Sequence, residues 1–436
     1  MIPPAITAPA PEARVFLLLQ GPHGPFFFRL GQALRGTGAQ VWRVGFNAGD
    51  RAFWWDARSY IPYRAPIEAW RNRFDTLLRD KGVTDIVLYG DTRAIHATAI
   101  ARAKAHGVIV HVFEEGYLRP YWVSYERDGS NGHSRLMDMD VAQMRAALED
   151  VGTDAPMPPA HWGDLRHHIF HGALYHWCVL CWNWRYRGYR PHRALTVGQE
   201  FRLYLRRLLL MPAHALDRWL ATRRIRNGGF PYHVALLQLE HDSSFQTHGP
   251  FATMAAFLEV VIRGFAEGAP RHHHLVFKAH PLEDGRAPLR RDIRRLAREA
   301  GVAGRVHYLH GGKLADLLNG ARTAVTVNST AAQQVLWRGL PLKALGAAIY
   351  AKPEFVSDQP LPEFFAQPKP PDRRAYACFR SYLLETSQVL GGFYSGHGRR
   401  QLLRRIVDMM LAPEGPYGSL TSCQRSSPPA DPPLGM

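Results

Sequence analysis

Short apolar runs alternate with helix-forming stretches along most of this chain of 436 residues. The apolar runs of the first series are residues 14–20, 39–46, 85–91 and 108–116. A second series follows, with runs at residues 233–242, 274–281, 305–311 and 323–330. Strands that alternate with helices build parallel sheets, so the sequence predicts an α/β fold with two Rossmann-like domains that face a cleft.

The segment between the two series has a different composition. From His161 to Phe230 it contains twelve Arg, five Trp and only three acidic residues. Indole rings settle at the headgroup level of a bilayer and guanidinium groups pair with phosphates, so a helical insertion of this kind suits an anionic lipid surface. The alternative is a helical insertion that packs its aromatic residues onto the N-terminal domain.

We therefore predict five regions. They are an N-terminal, acceptor-side Rossmann-like domain at 1–150, the helical Arg/Trp-rich segment at 151–230, a second Rossmann-like domain at 231–375, terminal helices at 376–411 and a disordered tail at 412–436 rich in Pro, Ser and Gly.

The charge balance restricts the partners of the chain. The formal net charge is +17 and the isoelectric point is near 10.0, which favours nucleic acid, phosphorylated metabolites or an acidic membrane surface. No nucleic-acid-binding motif is recognisable. The four cysteines form no disulfide framework and the N-terminus lacks the features of a signal peptide, so we expect a cytoplasmic protein. No run of 18 apolar residues occurs, so any membrane contact is expected to be peripheral.

Acidic residues follow two of the predicted strands. Glu240 and Asp242 end the run that begins at residue 233, and Glu114 and Glu115 precede Gly116 at the end of another. The carboxyl ends of parallel strands are where ligands bind, and paired carboxylates serve a double displacement at a sugar carbon. Gly116 would allow close approach of a ligand to the backbone. Solvated surface acids are the alternative.

Two further strand ends carry residues suited to phosphate. His280 and Pro281 form a turn in which the imidazole can donate to a phosphate oxygen. Asn328, Ser329 and Thr330 precede a predicted helix, so Ser or Thr at its N-cap would leave backbone N–H groups for a phosphate. A plain turn and simple helix capping are the alternatives.

Other motifs give weaker signals. Gly21 and Gly24 match neither a P-loop nor a dinucleotide fingerprint, and we interpret them as part of a loop on the acceptor side. The pair Cys178 and Cys181 lacks a second pair, and the run 272–274 of three histidines is expected at the surface, so we assign no metal.

Taken together, these pieces resemble a known family. The stretches HVFEEGYLRPYWVSYERDGSNGHS, LLQLEHDSSFQTHGPF, FKAHPLEDG and TVNSTAAQQVLWRGLPLKALG are similar to those of the capsule polysaccharide synthesis family of Gram-negative bacteria, in its KpsS/LipB group, which is related to KpsC. The resemblance spans roughly residues 14–395.

The resemblance implies a retaining β-Kdo glycosyltransferase with a GT-B-like fold. It implies CMP-Kdo as donor, no cofactor or metal, and transfer of the first Kdo of a poly-Kdo linker onto lyso-phosphatidylglycerol or phosphatidylglycerol, which capsule export requires. The enzyme would lie at the inner face of the cytoplasmic membrane, with a capsule assembly or export complex as a further partner.

The same resemblance implies roles for individual residues. Asp242 is the candidate nucleophile, and Glu115 or its neighbour Glu114 the candidate acid/base. His280 would contact the CMP phosphate, and Ser329 with Thr330 would cap it. The other predicted substrate-binding residues are Pro281, Asn328, Gln238, Gly116, Gly21 and Gly24.

Two other functions are compatible with the residues. One is a transferase of similar fold that uses another nucleotide sugar. The other is a non-catalytic export or scaffold protein that binds capsule intermediates at the membrane.

Overall fold

The computed structural model describes residues 14–149, 165–186, 188, 197–283 and 285–418. Within them lie twelve strands: β1 (Val15–Leu18), β2 (Gln40–Gly45), β3 (Tyr60–Pro62), β4 (Asp85–Tyr89), β5 (Ile109–Glu115), β6 (Trp122–Arg127), β7 (Tyr232–Leu236), β8 (His274–Lys278), β9 (Val306–Leu309), β10 (Ala321–Thr326), β11 (Leu342–Ala344) and β12 (Gln388–Leu390).

The described residues also form fifteen α-helices. They are α1 (Phe26–Gly36), α2 (Ala48–Ala52), α3 (Trp70–Lys81), α4 (Ala94–Ala105), α5 (Val141–Ala147), α6 (Leu165–Trp182), α7 (Val197–Asn227), α8 (Ser243–His248), α9 (Met254–Gly268), α10 (Leu289–Glu299), α11 (Leu314–Leu318), α12 (Ala332–Trp337), α13 (Leu361–Ala366), α14 (Arg373–Glu385) and α15 (Gly396–Leu411).

The chain divides into two compact units. The described residues within Met1–Ser130, Pro156–His192 and Thr386–Met436 form the first unit, and those within Asn131–Ala155 and Arg193–Glu385 form the second. These limits differ from the regions that the sequence analysis proposed. The Arg/Trp-rich segment is divided, because α6 belongs to the first unit and α7 to the second. The predicted terminal helices are divided in the same way between α14 and α15.

The first unit contains a seven-stranded sheet among its described residues, in the order β12-β6-β5-β4-β1-β2-β3. Strands β3, β2, β1, β4 and β5 are parallel, as the alternation of strands and helices predicted. Strands β6 and β12 are antiparallel additions at one edge, which the sequence analysis did not predict. The core contains side chains from both ends of the chain, since Phe26 of α1 packs in one cluster with Leu402 and Ile406 of α15.

The second unit contains a five-stranded sheet, within the described residues, in the order β11-β10-β7-β8-β9, and all its pairings are parallel. One face packs on the apolar sides of α9 and α10, with Phe257, Val261 and Ile293 against Leu275 and Phe277 of β8. Both units thus have the parallel order 3-2-1-4-5 of a Rossmann sheet, and the predicted α/β class is confirmed.

Two local predictions are corrected. Histidine 273 is buried, not at the surface, and its Nδ1 lies 3.0 Å from Nε2 of His233. The predicted disordered tail begins too early, because Tyr417 is buried and its hydroxyl donates to Glu126 Oε2 at 2.7 Å. Residues 419–436 of that predicted tail lie outside the described residues, as does the predicted start of the Arg/Trp-rich segment at 151–164.

Candidate functional site

In the second unit, a reciprocal hydrogen-bonded pair joins the loops after β7 and β10. Gln238 Nε2 donates to Asn328 Oδ1 at 2.8 Å, and the backbone N–H of Asn328 donates to Gln238 Oε1 at 3.0 Å. Asn328 Nδ2 also donates to the carbonyl of Ser244 at 2.9 Å. Strands β7 and β10 flank the point where the strand order reverses, the usual ligand position in such sheets. Both side chains are buried and hold this edge together, so their contact with substrate stays a prediction.

The two carboxylates in the acidic stretch after β7 have different hydrogen-bond partners. The strand ends at Leu236, earlier than predicted, and a loop carries the acids. Glu240 Oε2 accepts the backbone N–H of Met254 at 2.8 Å, at the start of α9. Asp242 is exposed and is the N-cap of α8, where its Oδ1 accepts the N–H of Ser244 at 3.3 Å. Of the two, Asp242 is therefore the carboxylate more accessible to a ligand.

The predicted N-cap after β10 is wrong. Helix α12 begins at Ala332, and Ala331 occupies the N-cap position without a side-chain hydrogen bond. Ser329 Oγ instead accepts the N–H of Ala331 at 3.2 Å. The N–H groups of Ala332 and Gln333 donate to the carbonyls of Ser329 and Thr330, so a tight turn from residue 329 satisfies them. These backbone donors are therefore used within the protein.

His280 and Pro281 follow β8 as predicted, in a turn. The backbone N–H of Leu282 donates to His280 Nδ1 at 3.1 Å. An imidazole whose Nδ1 accepts a hydrogen bond carries its proton on Nε2 when neutral. The turn therefore makes Nε2 of His280 the donor of the neutral ring, the form that the predicted phosphate contact needs.

Two cations near the same edge were missed by the sequence analysis. Lys278 is the last residue of β8 and is buried, and burial together with Arg218 of α7 lowers the pKa of this lysine to about 8. Lysine as the last residue of an apolar strand is the signal that could have revealed it. Arg218 comes from a helix 60 residues earlier in the chain, and no sequence pattern links the two.

In the first unit, Glu115 is held by two tyrosines. Tyr394 donates its hydroxyl to Glu115 Oε1 at 3.0 Å, and Tyr89 donates to the same oxygen at 3.3 Å. Burial, followed by the charge of Glu115, holds the pKa of both tyrosines well above its usual value, so both hydroxyls remain donors. His168 of α6 stacks on Tyr394 with ring centroids 3.9 Å apart, and burial lowers its pKa. None of these three neighbours was predicted from the sequence.

Glu114 has a different environment. Its Oε1 accepts the backbone N–H of Glu115 at 3.1 Å. Successive side chains of a strand leave it on opposite faces, and of the two carboxylates of β5 it is Glu115 that accepts the hydroxyls of Tyr89 and Tyr394 at the distances given above. This geometry distinguishes the neighbours that the sequence left equivalent, and it favours Glu115 as the group set among potential proton donors.

The predicted glycines make close contacts within the protein. A Cβ on Gly116 would lie 2.1 Å from the carbonyl oxygen of Trp122, so this glycine permits approach to the neighbouring chain segment. Gly21 lies against the ring of Phe27, and Gly24, at φ +114°, lies against His171. Contact of these glycines with a ligand remains a prediction.

Sequence comparison assigns the family. Residues 84–394 match the family described as Capsule polysaccharide biosynthesis protein. The chain is 32% identical over 391 residues to the Capsule polysaccharide export protein KpsS of Escherichia coli, which covers 88% of this chain and 97% of that protein. The chain belongs to the capsule polysaccharide biosynthesis family.

Two other similarities accompany this assignment. The Capsule polysaccharide modification protein LipB of Neisseria meningitidis serogroup A is also 32% identical over 391 residues, with 88% of this chain and 92% of that protein covered. Among solved structures, the KpsC beta Kdo 2,7 transferase of Thermosulfurimonas dismutans aligns with 12% identity and a TM-score of 0.45, over 91% of this chain and 100% of that one.

This capsule biosynthesis protein exposes large apolar side chains on α6, on the short segment after it and on α7. In the first unit they include Trp177, Trp182 and Trp184, and in the second Leu209 and Trp219. Guanidinium groups accompany them, with Arg185 over Trp184 and Arg223 over Trp219. Among the described residues, no helix has the length and apolar character needed to cross a bilayer.

Proposed function

We propose that this protein is a retaining glycosyltransferase of capsule biosynthesis that transfers β-Kdo from CMP-Kdo. Its acceptor is phosphatidylglycerol or the lyso form, and its product is the first Kdo of the poly-Kdo linker. The observation that carries the proposal is an exposed carboxylate, Asp242, at the carboxyl edge of a Rossmann sheet in a chain of this family. No metal or cofactor takes part in the proposed reaction.

The proposed reaction has two displacements. Asp242 attacks the anomeric carbon of Kdo, the bond from that carbon to the phosphate oxygen breaks, and CMP departs with the electron pair. The acceptor hydroxyl then attacks the glycosyl ester, its proton passes to Glu115, and the carboxylate of Asp242 is regenerated. Two inversions at one carbon give net retention.

His280 has a role in the first displacement. Its Nε2–H, set by the hydrogen bond that Nδ1 accepts, donates to an oxygen of the departing phosphate. A charge-assisted hydrogen bond of this kind stabilises the negative charge that develops on the leaving group. Ser329 and Thr330 remain proposed phosphate neighbours through their hydroxyls, not through a helix N-cap.

The exposed apolar and basic residues of α6 and α7 support a peripheral position on an anionic membrane. Trp rings and arginines together match the headgroup region of a leaflet that contains phosphatidylglycerol. We propose the inner face of the cytoplasmic membrane, where the lipid acceptor is available, and contact there with a capsule assembly or export complex.

The test is mass spectrometry of the purified protein incubated with CMP-Kdo and short-chain phosphatidylglycerol. Wild type is expected to add one Kdo to the lipid. Asp242→Asn keeps an oxygen for the Ser244 N–H but loses the nucleophile, so its rate falls by about a thousandfold or more. Glu240→Gln is the matched control at the same strand exit and is expected to retain activity, because an amide oxygen still accepts the Met254 N–H.

Three outcomes contradict parts of the proposal. Transfer from a UDP-sugar but not from CMP-Kdo would replace the donor. Equal activity in Asp242→Asn and wild type would remove the nucleophile. If cells that carry only Asp242→Asn still display capsule, the export or scaffold function replaces the transferase.

A further inference from the structure

Lys278 is a buried ammonium group without a matching carboxylate. Only 5% of the residue is exposed, and its Nζ donates to the carbonyl of the adjacent Ala279 at 3.3 Å. An ammonium group has three donors, and within the residues that the structure describes Lys278 has no ion-pair partner. A buried charge with so few partners is energetically unfavourable.

Arg218 adds a second positive charge. It is half-buried on α7, and its side chain passes over Gly311 and Gly312, where a Cβ would lie 3.7 and 3.6 Å from its Cδ. The nearby carboxylate of Asp217 is engaged elsewhere, at 3.1 Å from Arg290 Nη2. In the described part of the chain, Arg218 has no ion pair of its own.

The place of these cations in the fold matches a ligand site. Lys278 ends β8, and Gly311 and Gly312 follow the adjacent strand β9, so both lie at the carboxyl edge of the sheet in the second unit. Both glycines have positive φ, 83° and 86°, and their lack of side chains leaves room for Arg218 beside the loop. His214 and His310 lie beside this loop with ring centroids 4.2 Å apart. The carboxyl edge of this sheet therefore contains hydrogen-bond donors and positively charged side chains.

We propose that Lys278 and Arg218 bind the phosphate group of the nucleotide donor. The assignment rests on the proposed function for the identity of the nucleotide, but the binding site itself is defined by the two cations. An oxyanion supplies the acceptors that Lys278 lacks and separates the two like charges. The guanidinium group can contact two phosphate oxygens at once, while the ammonium group acts as a point charge.

Isothermal titration calorimetry with CMP and with cytidine tests this assignment, because the two ligands differ only in the phosphate. Wild type is expected to bind CMP more tightly than cytidine. Lys278→Met and Arg218→Gln are each expected to weaken CMP binding by at least about tenfold and to leave cytidine binding unchanged. Arg224→Gln is the control for net charge, since Arg224 is exposed on the same helix.

Thermal unfolding in inorganic phosphate gives a second readout. Replacing a buried unpaired charge with Met is expected to leave the melting temperature without phosphate unchanged or higher. Phosphate is expected to raise the melting temperature of wild type and of Arg224→Gln, and to raise that of Lys278→Met much less.

The outcomes separate this inference from the proposed function. A loss of phosphate-dependent affinity in both variants supports the inference even if the preferred nucleotide is UMP instead of CMP, which would overturn only the donor. CMP affinity equal to that of wild type in Lys278→Met overturns the inference, even if the enzyme transfers Kdo. A wild-type protein that binds no nucleoside monophosphate more tightly than its nucleoside overturns it as well.

Discussion

The two units differ in how they accommodate buried basic groups. In the first, carboxylates accompany them: Arg14 and His111 both bond to Asp85, and Arg43 Nη2 lies 3.3 Å from Asp50 Oδ1. In the second, Lys278 lacks a carboxylate partner within the described residues. Two compact units with the same sheet order thus differ in whether these basic groups have a carboxylate partner.

The histidines of the two sheets repeat this difference. In the first unit, His111 Nε2 lies 2.8 Å from Asp85 Oδ1. In the second, His233 bonds to His273 and to Thr323, and His274 Nδ1 lies 2.8 Å from His307 Nε2. A shared strand order therefore does not determine polarity. The second unit has at its edge Lys278, which has no carboxylate partner among the described residues, whereas the first surrounds its edge carboxylate, Glu115, with neutral hydroxyl donors.

Among the tests of this comparison between the two units, the largest effect is expected on catalysis. Glu115→Gln removes the carboxylate that accepts two tyrosine hydroxyls, and loss of an acid/base group lowers kcat by about a hundredfold or more. Glu114→Gln should lower kcat by less than about tenfold, because an amide oxygen still accepts the Glu115 N–H. Steady-state kinetics of Kdo transfer measures both.

These two variants form a matched pair, with the same chemical change one residue apart. Unchanged melting temperatures would exclude misfolding as the cause. A greater loss in Glu114→Gln than in Glu115→Gln would reverse the assignment and would show that the tyrosine environment does not mark the acid/base.

The next effect concerns pH and the histidines of the second unit. Burial, followed by the charges of His273 and Arg322, lowers the pKa of His233 to about 3. The folded state therefore keeps this ring neutral, while the unfolded chain takes up a proton below about pH 6.5. The contribution of His233 to the unfolding free energy is fully present above that pH. It falls as the pH drops toward 3, by up to about 1.4 kcal/mol per pH unit.

Urea unfolding at pH 7, 6 and 5 measures the slope. His233→Gln should lower the dependence of the unfolding free energy on pH, even if the variant is less stable at every pH. The control is His272→Gln, an exposed neighbour of the same histidine run. Equal slopes in wild type and His233→Gln would mean that His233 does not contribute to acid sensitivity.

The sequence predicted what local periodicity and strand ends determine. The parallel strands and the position of Asp242 and His280 after them follow from patterns a few residues long. The antiparallel pairing of Gln388 in β12 with Ser124 in β6 does not, because it joins segments 264 residues apart. The N-cap error has a local cause, since a tight turn of the backbone replaced the side chain of Ser329 or Thr330.

The residues that surround the candidate site residues could not be predicted from the sequence either. Tyr394 donates to Glu115 from 279 residues away, and Arg218, which lowers the pKa of Lys278, lies on a helix 60 residues earlier in the chain. Such neighbours depend on tertiary packing, and single-sequence patterns carry no information about it. The acidic residues were therefore predictable, whereas the groups that tune them were not.

The smallest effect is expected when one of the hydrogen bonds that tyrosine hydroxyls donate to Glu115 is removed. Tyr394→Phe removes one hydroxyl donor but keeps a ring that can stack on His168, and Tyr89 still donates at 3.3 Å. We expect the unfolding free energy to fall by about 1 kcal/mol. Combining Tyr394→Phe with Glu115→Ala, which removes both acceptor oxygens, in a double-mutant cycle followed by urea unfolding isolates the coupling between the two side chains.

A coupling energy of about 1 kcal/mol is the expected result, because the hydroxyl of Tyr394 loses its acceptor at position 115 once the side-chain oxygens are removed. Tyr89→Phe is the matched comparison and should couple less strongly, since its hydrogen bond is longer. Zero coupling for Tyr394 would remove the distinction between the two units at this edge. Glu115 would then be an ordinary half-buried carboxylate, and the contrast would depend on the cations of the second unit alone.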